Sequence, residues 1–266
     1  MRIFAVMICF AIPASDLQAA TYRVGYADAG FPPYSFAAKD ERAGIFQQIL
    51  EAVGRETGDA FVPVYAPTKR LQKLFAAGDI DIEPGINPIW RPEQAAISIY
   101  SRPFTDLVSR LLFHEASGPV SLRELTTERK IQRPDGKPVQ FLDPNARLIA
   151  TVRGYRYTIF DDGFANGMLK RFDTEGEKQQ ILMLNSRRVD AIAQAEIPAR
   201  FFIKELGVTT RLNVVIGEET DRTPIMFRML RTHKTLLERL DRVIETMTAS
   251  GRIKAIEQSF LAEISR

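Results

Sequence analysis

Gly78 to Phe104 reads GDIDIEPGINPIWRPEQAAISIYSRPF. A glycine closes a helical pattern, Ile80 and Ile82 carry a short strand, and a loop broken by proline and glycine presents Trp90 and Arg91. A second extended run (Ile97, Ile99, Tyr100) ends at Arg102-Pro103. An arginine on a loop just past a buried strand is well placed to hold a small anion, because a planar guanidinium offers a carboxylate two parallel charge-assisted bonds. The competing reading of Arg91 is a solvated charge on a surface loop.

Working outward toward the N-terminus, Thr68 is positioned to cap a helix with the apolar stripe Leu71, Leu74 and Phe75, closed by Gly78. Phe61 to Tyr65 reads as a strand, and from Gly44 to Thr57 the residues Ile45, Phe46, Ile49, Leu50 and Val53 fall on one helical face. Tyr22 to Tyr26 is another strand, followed by a loop, Asp28 to Phe36, with two prolines and three aromatics. Those aromatics either wall a ligand or plug the top of a core. Strand, helix, strand, helix, strand is the alternation of an α/β sheet.

Toward the C-terminus, Leu107–Phe113 reads as a strand and residues 121–125 as one helical turn, followed by a polar surface excursion over 127–138. Leu148–Val152 is a strand, Arg153 to Tyr157 a loop opening a helix, Lys178–Asn185 a helix and Val189–Ala193 a strand. Thr223–Met229 is the last strand, before a helix striped by Leu236, Leu237, Leu240, Val243, Ile244 and Met247 and a final helix after Gly251. The segments KLFAAGDIDI (73–82) and LMLNSRRVDAI (182–192) echo each other: each is a helix end, a polar turn and an apolar strand bearing Asp81 or Asp190. We read both aspartates as structural groups that orient backbone.

Composition narrows the function classes. The chain has 266 residues, 45% hydrophobic and 26% charged, which supports real cores without disulfide staples. Residues 1–20 form a secretory signal pattern: Arg2, an apolar run from Ile3 to Ile12, and small residues at Ala19-Ala20 where cleavage is expected. The single cysteine, Cys9, falls within that leader, so thiolate metal sites are excluded from the mature chain, and His114 and His233 are too few for a histidine cluster. An exported chain without disulfides suits a bacterial periplasm. The net charge of +3 is spread along the sequence without a basic stripe, so nucleic acid is not an expected partner.

The ordered set VGYADAGFPPYSF (24–36), the helix opening at Gly44, LFAAGDIDI (74–82), Arg91 followed by ISIYSRP, the Arg153-Gly154 loop, RRVDAIAQAE (187–196) and the TASGRIKAI ending resembles the type II periplasmic solute-binding proteins. Within them it is most similar to family 3, the receptors of polar amino-acid ABC transporters. The resemblance implies an α/β fold of two lobes joined by two crossing hinge segments, with a ligand in the cleft. It places a first lobe at residues 21–104 and 222–266 and a second at 105–221. It also implies a monomer that needs no cofactor, catalyses nothing, and delivers a small carboxylate-bearing ligand to an inner-membrane ABC permease.

By position, the resemblance makes Arg91 the grip on the ligand carboxylate, Asp28 an acidic contact, Phe31 an aromatic lid and Gly154 the turn before a helix that meets an anion. The sequence departs from the family in three places. GluProGlyIle (83–86) stands where hydroxyls are usual, Ala195 where a carboxylate receives an ammonium, with Glu196 next to it, and Arg156 where a small hydroxyl is frequent. These changes favour a small anion held by Arg91 and Arg156, with Arg70 as a further candidate and Trp90 or Phe31 stacking on any flat part. Two alternatives use the same scaffold. One is an exported enzyme resembling cyclohexadienyl dehydratase, with Glu196 as general acid and Arg91 holding the carboxylate. The other is a soluble sensor that partners a membrane kinase.

Overall fold

A computed structural model describes residues 19–126, 146–209 and 211–266. The leader before Ala19 and the polar excursion at 127–138 lie outside the described residues.

The first unit is β1 (Thr21–Ala27), α1 (Ile45–Thr57), β2 (Ala60–Ala66), α2 (Thr68–Ala77), β3 (Ile82–Ile86) and the short β4 (Ser98–Tyr100). Next come β5 (Thr105–His114), α3 (Leu122–Thr126), β6 (Arg147–Val152), α4 (Asp161–Ala165), β7 (Leu169–Thr174), α5 (Glu177–Asn185), β8 (Ala191–Ala195) and α6 (Glu196–Gly207). The chain finishes with β9 (Val214–Leu230), α7 (Lys234–Ala249) and α8 (Arg252–Ser265). The alternation read from apolar periodicity is therefore present, because each helix buries one stripe: Ile45, Phe46, Ile49, Leu50 and Val53 in α1, Leu71 and Phe75 in α2. Two helix ends are set by glycine in the left-handed region, Gly58 at φ 76° and Gly78 at φ 77°. Thr68 is the first residue of α2 and gives no side-chain cap; Pro67 precedes it.

All the strands join one continuous sheet, ordered β2, β1, β3, β9, β5, β8, β6, β7, with β4 pairing β9. β9 is the spine. Its 17 residues pair antiparallel with β5 from His114↔Val214 to Thr105↔Ile225, and then with β3 from Ile86↔Met226 to Ile82↔Met229. Only its end, Thr223–Met229, was apparent as a strand; Gly217, Glu218, Glu219 and Asp221 mask the rest. Beyond the sequence expectations, β7 is an edge strand whose middle residues are exposed, and α6 opens with Pro198 in its first turn, where a missing N–H costs nothing.

Apolar cores lie at the two ends of this spine. One joins α1, α7 and the strands around Tyr26, Ile82, Phe104 and Phe227, with a satellite under α2 around Phe75 and Ile80. The other end holds Ile181, Leu184, Ile192 and Phe202 on one side of the sheet, and Leu111, Ile149, Phe160 and Leu169 on the other.

The sequence echo becomes a repeated clasp. Asp81 and Asp190 each donate a backbone N–H to the carbonyl of a neighbouring strand residue, Arg23 and Leu148, at 2.8 Å. Each carboxylate then accepts the N–H of that same residue, at 2.8 Å from Arg23 and 2.6 Å from Leu148. Asp81 is buried and also accepts from the Arg23 guanidinium, whereas Asp190 is exposed. Burial alone would raise the Asp81 carboxyl, and the Arg23 bonds more than offset it, leaving its pKa below the ordinary value. Asp190→Ala should cost about 1 kcal/mol and Asp81→Ala about 2–3 kcal/mol, as read from urea midpoints at constant slope.

Candidate functional site

Between the two cores lies a cavity of about 180 Å³, lined from the first unit by Phe31, Ser35, Glu83, Gly85, Trp90 and Arg91, and from the second by Ser109, Tyr155, Arg156, Glu177, Gln194 and Ala195. The volume suits a small molecule and exceeds the need of a single water.

Arg91 reaches the cavity through a chain of local constraints. Gly85, at φ 74°, forms a bulge in β3 where a Cβ would come within 2.4 Å of the Phe46 ring. Asn87 then caps the turn Pro88–Trp90 by accepting from Ile89 N–H at 3.0 Å, while its amide donates to the Pro224 carbonyl at 2.7 Å. Arg91 follows directly and is 4% exposed, so the surface reading of this residue does not hold. Its two terminal nitrogens are used, one on Glu83 Oε1 at 2.9 Å and one on the Trp90 carbonyl at 3.0 Å. Its Nε–H has no partner among the described residues.

Glu83 is the residue that sequence reasoning missed. It appeared there only as a departure from a hydroxyl-rich strand end, yet it is 3% exposed and lies opposite Arg228 in the β3–β9 ladder. Its second oxygen accepts from Arg228 at 2.6 Å. Arg228 is wholly buried, stacked 3.7 Å over Phe75, and donates further to Ser98 Oγ and Gln94 Oε1. Arg91, Glu83 and Arg228 thus form a buried triad with one net positive charge, which fixes the guanidinium facing the cavity.

The opposite wall is built at the start of α5. Glu177 is 5% exposed, and Gln194, 4% exposed on β8, donates to the Glu177 carbonyl and to Gln180 Oε1, both at 2.8 Å. Gln180 in turn donates to the Ala150 carbonyl, so the wall is braced against β6. The Tyr155 hydroxyl lies against the Glu177 carboxyl. Burial pushes the Glu177 carboxyl up to about 7, against the pull of its own N–H and Tyr155. Nothing in the charge run TEGEK (174–178) marks this residue as buried.

A raised folded-state pKa means that the folded protein holds a proton which the unfolded chain, near 4.5, releases. The stability from that proton is complete below about pH 4.5 and is lost as pH rises through about 7. Glu177→Gln should therefore match the parent near pH 4.5 and exceed it by on the order of 3 kcal/mol at pH 8, in denaturant titrations of ligand-free protein.

Of the other residues expected at the site, Phe31, Trp90 and Arg156 line the cavity. The loop aromatics divide between the two readings: Phe31 faces the cavity, whereas Tyr34 and Phe36 are buried. Arg156 is half-exposed and pairs with Asp161 at 3.3 Å. Asp28 and Arg70 are exposed and are not among the lining residues. Gly154 also lies off the lining: at φ 90° its Cβ position is 3.1 Å from Lys69 N, and its carbonyl accepts from Gln72 at 2.8 Å, so it is a contact between the two walls. Glu196 is away from the lining as well, bonded to Arg110 at 2.8 Å and Arg200 at 2.7 Å. Burial would raise its carboxyl, but these arginines dominate and hold the pKa below the ordinary value.

Two walls that each set buried charged side chains among apolar residues, facing one another across a small cavity on a shared spine, have the architecture of a clamp, and a family model for bacterial extracellular solute-binding proteins, family 3, matches residues 22–263. The chain belongs to that family. Among solved structures, this solute-binding protein is similar to a mutant of ArgBP from T. maritima, with TM-score 0.69 and 17% identity over 91% of this chain and 95% of that one. It is also similar to a histidine kinase sensor domain resembling periplasmic binding proteins, with TM-score 0.69 and 19% identity, covering 91% and 96% of the two chains. The substrate binding protein of an amino acid ABC transporter matches with TM-score 0.69 and 18% identity, over 90% and 98%. No curated protein matches the sequence. These likenesses establish the two-lobed periplasmic binding protein fold. Among the described residues no helix is long and apolar enough to cross a membrane, and no cluster of metal-ligating side chains occurs.

Proposed function

We propose that the mature protein is a periplasmic receptor that captures a small carboxylate-bearing solute between its lobes, residues 21–104 with 222–266 and residues 105–221, and passes it to an inner-membrane ABC permease. The observation that carries this reading is Arg91: a buried guanidinium in the interlobe cavity, oriented by Glu83 and with its Nε–H unspent. An unspent buried donor in a cavity favours a ligand that brings an acceptor. Phe31 and Trp90 add apolar area to one wall, and Gly154 against Lys69 lets the walls meet closely enough to exclude water. The likeness to the substrate binding protein of an amino acid ABC transporter and to an ancestral arginine-binding protein supports an amino-acid-like solute.

The exported-enzyme alternative required Glu196 to deliver a proton, and its two arginines hold it as a carboxylate away from the cavity lining. A sensor partner is a second reading, supported by the likeness to a histidine kinase sensor domain. Mass spectrometry of small molecules that co-purify with the mature protein tests the receptor reading, with a carboxylate the expected finding. Capture of an ABC permease rather than a kinase from detergent-solubilised inner membranes separates delivery from signalling.

A further inference from the structure

Glu177 is buried in the cavity wall, and among the described residues no cation pairs with its carboxyl. The basic side chains around it are paired elsewhere: Arg91 with Glu83, Arg156 with Asp161 and, one residue along α5, Lys178 with Glu205. Its own N–H and the Tyr155 hydroxyl are its partners, and neither reaches Oε1, which is left unpaired. A buried carboxyl without a counter-charge is favoured as the neutral acid, and the oxygen that accepts no bond is where the proton sits. We propose that Glu177 takes the solute as a neutral acid, donating its Oε1–H to an acceptor oxygen remote from the carboxylate on Arg91, so that capture is lost as Glu177 ionises.

The assignment rests on the receptor reading above and adds a proton control to the same site. The groups around Glu177 are uncharged or already bonded. From the loop after β6, Tyr155 and Tyr157 face it, and burial raises both hydroxyls, so both stay neutral. On β8, Gln194 Oε1 is a second unpaired acceptor, because its Nε2 is spent on the Glu177 carbonyl and Gln180 Oε1. An ionised Glu177 would add a charge to a wall already short of donors, whereas the acid supplies one. Across the cavity, Glu83 is held by Arg91 and Arg228, and Asp221 accepts from the Thr223 hydroxyl at 2.5 Å. Arg91 offers its unspent Nε–H from that side, so the two walls present donors to the two ends of a solute that carries acceptor oxygens at both. Burial sets the Glu177 carboxyl at about 7, so the loss falls near neutral pH. His114 and His233, the side chains that ordinarily titrate in this range, are not among the lining residues.

The test is titration calorimetry of mature protein against the twenty amino acids, succinate, glutarate and 2-oxoglutarate. At least one probe should bind at pH 6, and its Kd should weaken about 30-fold by pH 8.5, the loss expected when only the acid form binds. At pH 8, titrations in two buffers of different ionisation enthalpy should record the uptake of about one proton per ligand bound. In Glu177→Gln, whose amide donates at every pH, affinity should vary by less than about threefold over the same range, with no proton taken up. The variant is checked for an intact thermal transition, and the proton uptake of the parent stands without it. A parent affinity that is flat with pH, a proton released on binding, or a pH slope that persists in Glu177→Gln overturns the inference and leaves the carboxylate receptor intact. Silence of every probe at both pH values counts against the receptor reading and the inference together.

Discussion

Glu83→Ala should lower folding stability by about 3–5 kcal/mol, the cost of leaving buried charge without its partner. The glutamate is held between Arg91 at 2.9 Å and Arg228 at 2.6 Å, and the three side chains are 4, 5 and 0% exposed for Glu83, Arg91 and Arg228. Its removal strands two guanidiniums within one pocket of low dielectric. Burial already drives Arg228 toward losing its proton, and Glu83 is the main group opposing that shift. At about 2–4 °C per kcal/mol for a chain of this size, the thermal midpoint should fall by roughly 10 °C in scanning calorimetry. Glu83→Gln, which keeps the shape and one acceptor, should fall less. A loss in the alanine variant below about 1 kcal/mol would mean that water reaches the triad and the pairing carries little.

Arg91→Ala should behave in the opposite way, with the larger loss in binding. Glu83 keeps Arg228 as its partner, so the buried carboxylate is not abandoned. Truncating one side of a buried charge pair with the ligand costs about 2–5 kcal/mol, which is on the order of 30-fold to several thousandfold in affinity. Titration calorimetry with the co-purifying carboxylate measures this directly, and the ligand-induced rise in thermal midpoint should vanish at concentrations that saturate the parent. An Arg91→Ala protein that binds within threefold of the parent would remove the arginine from the site.

The two variants divide one triad into a support and a contact, and the sequence offered only the contact. Arg91 stands on a loop whose punctuation, Pro84-Gly85 and Pro88, is visible to any reader. Glu83 meets Arg228 across 145 positions of chain, and no local pattern announces that pairing. Glu177 hides for a related reason. In a run of charged residues it reads as solvated, and only the packing of α5 against β6 and β8 removes its water.

By itself the sequence determined the local elements, because apolar residues spaced at 3.6 or 2 positions bury one face wherever they lie. It also determined the aspartate clasps of Asp81 and Asp190, which recur because the same helix, turn and strand recur. Gly78 to Phe104 determined a strand, a loop broken by proline and glycine, and an arginine on that loop. Tertiary structure alone decided that this arginine is buried rather than solvated, that its partner is Glu83 braced by Arg228, and that the facing wall is Glu177 and Gln194. The physical reason is that periodicity is a short-range property of the chain, whereas desolvation and charge pairing depend on which distant segments the fold brings together.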